Sequence, residues 1–113
     1  MPEEPLRVAV IGLGGFGRQA LEATVCSKSV QLVGVVGRDQ STAEQAASGA
    51  GGAPAYSDYR SCLAETRPTA VCLDVSPKAA GELIPACAQR GIHVWKSVPL
   101  ARNLEDAVSM VRT

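Results

Sequence analysis

Neither sign of charge prevails in this sequence: Lys and Arg number 11, Asp and Glu number 11, and the formal net charge at neutral pH is zero. The basic residues are scattered, so no patch gathers that would demand a polyanion, and no nucleic-acid partner is expected. Glu3 and Glu4 read as a solvated tail. No apolar run approaches the roughly 20 residues that span a bilayer, so no membrane partner is expected either. Residues 1–5 lack a positive n-region and an apolar h-region; no secretory signal is expected, and the expected location is cytoplasmic. Histidine is nearly absent. The single one, His93, lies in a predicted strand, where a satisfied structural imidazole is the expectation rather than a catalytic one. The four cysteines, Cys26, Cys62, Cys72 and Cys87, form no CxxC pair and have no neighbouring histidine, which argues against both a zinc site and a disulfide framework. They are expected to be buried small apolar residues, in keeping with a reducing compartment. No internal repeat is present.

What the chain does have is core-forming material. With 46% hydrophobic residues in 113, it reads as one globular domain over residues 1–113. Its organising stretch is Val8-Ala9-Val10-Ile11-Gly12-Leu13-Gly14-Gly15-Phe16-Gly17-Arg18, an apolar strand-type run that breaks into glycines and resumes as helix. Gly12, Gly14 and Gly17 fit GxGxxG: the first permits a tight turn, the second a close ligand approach, and the third close packing of helix on strand. The helix that follows points its unpaired N-terminal amides at whatever sits above the turn. Residues Gly12, Leu13, Gly14, Gly15, Phe16 and Gly17 are therefore expected to carry the diphosphate of a dinucleotide.

Downstream, Val30 to Val36 reads as a second buried strand ending at Gly37-Arg38-Asp39. A helix is expected from Ser41, with Glu44 three positions on as in a capping box, and residues 49–54 stop it. A short third strand falls at Ala55 and Tyr56, and Ser57 or Asp58 caps a helix running toward Thr66. Residues 68–75 form the fourth strand, left through Ser76-Pro77. Residues 79–90 form a helix with Leu83, Ile84, Cys87 and Ala88 on its apolar face, kinked at Pro85 and ended by Gly91. Residues 92–95 form the fifth strand and 103–111 a last helix. This alternation of buried strands and helices predicts a Rossmann-like α/β fold: a doubly wound parallel sheet of order 3-2-1-4-5 with helices on both faces. Right-handed crossovers put the switch point between the first and fourth strands, so the glycine turn and the Ser76-Pro77 loop are expected to face one crevice.

The tip of the second strand bears on the cofactor. About 20 positions past the glycines this fold ordinarily places an acid that accepts from the adenosine ribose hydroxyls. Here Gly37 stands at the tip and Arg38 follows. That removes a carboxylate that would repel a 2′-phosphate and supplies a guanidinium that pairs with one, so NADP is expected over NAD. The competing reading leaves Arg38 facing solvent and gives the ribose to Asp39.

His93-Val94-Trp95-Lys96-Ser97-Val98-Pro99-Leu100-Ala101, followed by Asn103-Leu104-Glu105-Asp106-Ala107, resembles the stretch that characterises the Gfo/Idh/MocA family, the glucose-fructose oxidoreductase and inositol dehydrogenase group. With the glycine turn and Ser76-Pro77 the resemblance covers essentially the whole chain. It implies a cofactor domain of NAD(P)-dependent oxidoreductases acting on sugar-like or polyol substrates. In that family a larger, mostly antiparallel β domain follows and shapes the substrate site; it is expected to lie outside this chain, so that a small-molecule substrate binds only with that second domain. The family signature Glu-Lys-Pro, aligned on Pro99, falls on Ser97-Val98-Pro99. Valine neither gives nor takes a proton, so acid–base chemistry in the family's manner cannot run through Val98, and no catalytic residue is assigned. Lys96 is a tempting substitute, but its stem starts about 7 Å back along an extended chain, and the plainer reading is a lysine at a position the family fills freely. The family's Thr-Pro-Asn and following histidine become Ser76-Pro77-Lys78 and Gly81, which keep only the small hydroxyl and the rigid turn that bound the nicotinamide side. Two functions stay open: the cofactor domain of an oxidoreductase, or a non-catalytic dinucleotide-binding sensor or regulatory module. A fold that binds no nucleotide is the third, plainest reading.

Overall fold

The structure, a computed structural model, describes residues 5–96. Ser97, Val98, Pro99 and the helix expected over 103–111 lie outside them. Strands and helices alternate as β1 (Leu6–Ile11), α1 (Gly15–Cys26), β2 (Val30–Val36), α2 (Gln40–Ser48), β3 (Ala55–Tyr56), α3 (Tyr59–Thr66), β4 (Ala70–Leu73), α4 (Pro77–Gln89) and β5 (His93–Lys96). All pairings are parallel, and the sheet order is β3-β2-β1-β4-β5. The predicted doubly wound architecture is the observed one.

Side-chain alternation sorts the core into two layers. Leu6, Val8 and Val10 of β1 join Ala70 and Cys72 of β4 on the face covered by Ala20 and Leu21 of α1 and Ala47 of α2. Ala9 and Ile11 join Val71 and Leu73 on the opposite face, covered by Cys62 and Leu63 of α3 and Leu83 and Cys87 of α4. Burying a leucine as fully as Leu63, Leu73 or Leu83 contributes about 2–3 kcal/mol each. Two buried hydroxyls return their hydrogens to their own helices, Thr24 to the Leu21 carbonyl at 2.8 Å and Thr66 to that of Cys62 at 2.7 Å.

β2 carries an irregularity that its apolar run does not announce. Val8 is opposite Leu32 and Ala9 opposite Gly34, so Val33 is an extra residue in the ladder, a β-bulge. Val33 packs with the α3 side of the core, and the place where a Gly34 Cβ would stand is 2.8 Å from the Cys62 sulfur on that same side. Glycine is what lets two successive residues share one face there.

Several local expectations need correction. α2 begins at Gln40, not at Ser41: Asp39 takes the N-cap, its Oδ1 accepting from the Thr42 N–H at 2.8 Å, because an aspartate leaving the strand reaches that amide first. α4 begins at Pro77 rather than Ala79. Ser76 caps it, accepting from the Ala79 N–H at 3.2 Å, and Pro77 occupies the first helical position, where a missing N–H costs nothing. The helix continues through Pro85, and its buried side is Ala80, Leu83 and Cys87; Ile84 is 41% exposed and Ala88 also faces outward. β4 ends at Leu73. Cys62, Cys72 and Cys87 are buried as expected, but Cys26, at the last turn of α1, is exposed. His93 is exposed on β5, where it pairs in register with Ala70 and its backbone N–H donates to the Thr69 carbonyl.

Candidate cofactor site

The carboxyl ends of β1, β2 and β4 open into one cleft of about 700 Å³, a size suited to a cofactor. Its floor is Ile11, Gly12, Leu13 and Gly14; Val36, Gly37 and Arg38 lie at one side and Asp74, Val75 and Ser76 at the other. This is the switch point, where the chain leaves β1 and β4 in opposite directions.

The glycine turn is built as its motif requires, but mostly by the chain's own atoms. Gly12 has φ +99°, and a Cβ there would overlap the Asp74 carbonyl oxygen. At Gly17 a Cβ would overlap the Gly12 carbonyl oxygen, so the third glycine brings α1 onto β1. At Gly14 a Cβ would stand 2.5 Å from Asp74 Oδ2. Gly15 alone of the four faces open space, with nothing within 4 Å. Gly14, which lines the cleft, is the N-cap of α1 and has no side chain with which to cap it. Phe16 turns its ring into the core beside Leu13, leaving only its backbone to serve a ligand.

At the β2 tip, a side chain on Gly37 would press on the Ala43 backbone at 3.0 Å and on Leu13 Cδ1 at 3.1 Å, so this position offers the ribose nothing. Arg38 is exposed and lines the cleft. Asp39 does not line it. Its carboxylate serves the α2 cap, and the Thr42 backbone N–H, with help from the Thr42 side chain and nearby Arg38, holds its carboxyl below the ordinary value. Among the residues expected to contact the cofactor, Gly12, Leu13, Gly14, Arg38 and Ser76 line the cleft, while Gly15, Phe16, Gly17, Asp39 and Pro77 stand behind or beside it. Ser76 spends one lone pair on the α4 cap, which leaves its O–H to donate into the cleft. Lys96 pairs in register with Leu73 and so ends at the same sheet edge, but it is not among the cleft's lining residues.

Four contributors escaped the sequence reading. Arg18, on α1, lines the cleft and is exposed. Asp58, the α3 cap, and Tyr59 line it as well. Asp74 is the fourth: its Oδ2 accepts the Gly17 N–H at 2.9 Å across 57 positions of sequence. An acid closing the apolar run Ala70-Val71-Cys72-Leu73, just ahead of the switch-point loop, was the available signal.

Comparison with known proteins agrees with this geometry. The family model described as "Oxidoreductase family, NAD-binding Rossmann fold", that of Gfo/Idh/MocA, matches residues 6–113. A 4-carboxy-2-hydroxymuconate-6-semialdehyde dehydrogenase of Sphingobium is 28% identical over 107 residues, covering 95% of this chain and 34% of that protein. The crystal structure of a myo-inositol 2-dehydrogenase from Lactobacillus plantarum superposes with a TM-score of 0.76 at 25% identity, covering 96% of this chain and 33% of that one. A 3-ketoreductase from Actinomadura kijaniata, solved with TDP-benzene and NADP, superposes at 0.74 with 24% identity, covering 96% and 35%. The chain thus spans about a third of the length of these relatives. Among the described residues no helix is long and apolar enough to cross a membrane. An α/β sheet with its glycine turn at the switch point, matched by the family model along nearly its whole length, places this chain in the Gfo/Idh/MocA oxidoreductase family as an NAD(P)-binding Rossmann domain.

Proposed function

We propose that residues 1–113 form the NADP-selecting cofactor domain of an oxidoreductase acting on a sugar-like or polyol substrate, completed by a substrate domain outside this chain. The observation that carries the cofactor choice is the β2 tip, where Gly37 leaves no acid and Arg38 lines the cleft. A guanidinium there pairs with a 2′-phosphate through charge-assisted hydrogen bonds. The cleft fits a dinucleotide: Gly12, Leu13 and Gly14 line it at the head of α1, where the N-cap has no side chain of its own, and its volume is about 700 Å³. In this reading the turn from Gly12 to Gly17 holds the diphosphate, Arg38 the adenosine end, and the Ser76 hydroxyl the nicotinamide side. The nicotinamide supplies hydride chemistry; the protein supplies binding and orientation. The names of the relatives, two dehydrogenases and a ketoreductase, support a redox role for the complete protein.

A second reading rests on the resemblance aligned on Pro99, which sets the family's lysine on Val98. A chain that keeps the nucleotide cleft without that amine suits a non-catalytic sensor or regulatory module. Calorimetric titration of the chain with NADPH and NADH tests the cofactor assignment, and equal affinities, or tighter NADH, overturn it. For the complete protein, absorbance at the reduced-nicotinamide band across a panel of sugars and polyols separates the two readings. Turnover that Ser97→Glu with Val98→Lys does not improve supports the enzyme; silence relieved by the double substitution supports the binding module.

A further inference from the structure

The head of α1 lacks a local cap and has a distant one. An N-cap side chain ordinarily accepts from the second or third helical amide. Gly14, at the cap position, has no side chain, and Gly17, the third residue of α1, donates instead to Asp74 Oδ2 at 2.9 Å. Asp74 is fixed at that spot by its own backbone, whose N–H donates to the Ile11 carbonyl at 2.8 Å. Its carboxylate fills the space where a Gly14 side chain would begin. It is half-buried and lines the cleft that takes the cofactor.

We propose that Asp74 is an affinity-determining residue of the cofactor site: its carboxylate holds part of the anion position at the head of α1, so a bound diphosphate shares that corner with a fixed negative charge. This rests on the dinucleotide reading above and adds to it. The positive end of a helix attracts an anion of either origin, and the chain supplies one of its own. In the free protein the carboxylate caps α1 and fixes the glycine turn in its binding shape. In the complex it opposes the diphosphate, since like charges in a partly enclosed cleft repel with little screening. Arg18 and Arg38, which line the same cleft, supply the opposing positive charge. The turn is thereby ordered in advance, and the cofactor is held loosely enough to exchange.

The test is Asp74→Asn, which keeps an acceptor for the Gly17 N–H and removes the charge. Full chain and variant are titrated calorimetrically with NADPH and NADH at low and at high ionic strength, and their unliganded melts are compared. The variant should bind about tenfold more tightly at low salt, the change expected for losing one nearby like charge. That ratio should shrink as salt screens the repulsion, while the unliganded melt stays close to that of the parent. Equal or weaker binding by the variant at low salt overturns the proposal, as does a gain indifferent to salt, which would report repacking. If Asp74→Asn does not fold, Asp74→Ser, with a shorter neutral acceptor, is held to the same salt-dependent ratio. Binding by parent and variant with one affinity refutes the role of Asp74 alone; absence of binding by any of them refutes the dinucleotide reading with it.

Discussion

The carbonyl oxygen of Gly12 occupies the space that a side chain on Gly17 would need, so strand and helix meet backbone to backbone at the turn. Gly17→Ala must push α1 off β1. It should cost more than about 2 kcal/mol, as overpacking against rigid backbone does. In a domain of this size that lowers the melting midpoint by roughly 8 °C or more. Gly15→Ala projects into open space and should leave the melt unchanged or slightly raised, alanine being the better helix former. Thermal melts followed by circular dichroism check the contrast, and similar losses for both variants would contradict the packing described.

Arg38 is expected to distinguish the two nicotinamide cofactors. Arg38→Ala should weaken NADPH by about tenfold or more while leaving NADH nearly unaffected, because only the former offers a 2′-phosphate to pair with. Asp39→Asn should leave NADH binding unchanged, since that side chain serves the α2 cap. A marked loss of NADH on Asp39→Asn would return the ribose to Asp39.

The thiols should divide three to one. Burial pushes Cys62 up to about 11 and Cys72 up to about 12, and raises Cys87 as well, whereas Cys26 is exposed. In the native protein near pH 8, a thiolate-specific reagent should label Cys26 quickly and the other three only on unfolding. These raised values also set a pH dependence. Below the ordinary thiol value of 9.0 both states hold their protons and stability is full. Above it the unfolded thiols ionise first, so the unfolded chain binds fewer protons and stability falls as pH climbs toward the folded values. Denaturant titrations from pH 8 upward read this out.

Arg67 closes α3 in a left-handed conformation, φ 46° and ψ 61°, with its N–H on the Leu63 carbonyl. Glycine adopts that geometry without the Cβ penalty, so Arg67→Gly should stabilise the protein by about 1 kcal/mol. A melt lowered by the substitution would show that the Arg67 side chain contributes more than its backbone conformation costs.

The sequence supported the architecture well because strand identity here rests on long buried runs. The bounds of β1 and β2, the place of β3 and the order of the whole sheet followed from periodicity and crossover handedness. Helix starts were less readable: Ser41 and Ala79 each looked like openings, but Asp39 and Ser76, better placed as caps, took the amides first. Helix faces carried a similar ambiguity, and Ile84, apolar and next to Leu83, ended outward. Of the residues that line the cleft, Gly12, Gly14 and Arg38 could be named from spacing alone. Asp74 could not, because its partner Gly17 lies on another element, and long-range capping leaves no local pattern.

The extra residue at Val33 sets the phase of everything that follows it on β2. Before it, Val30 and Leu32 face α1; after it, Val35 does, while Val36 turns toward α3 and α4. Were the same residues paired without the bulge, Val33 would fall opposite Ala9 and Gly34 opposite Val10, so Val35 and Val36 would exchange the two faces of the sheet and Gly37 and Arg38 would be delivered rotated half a strand period. The reach of Arg38 into the cleft is thus counted out some five residues upstream, in a stretch that touches no ligand.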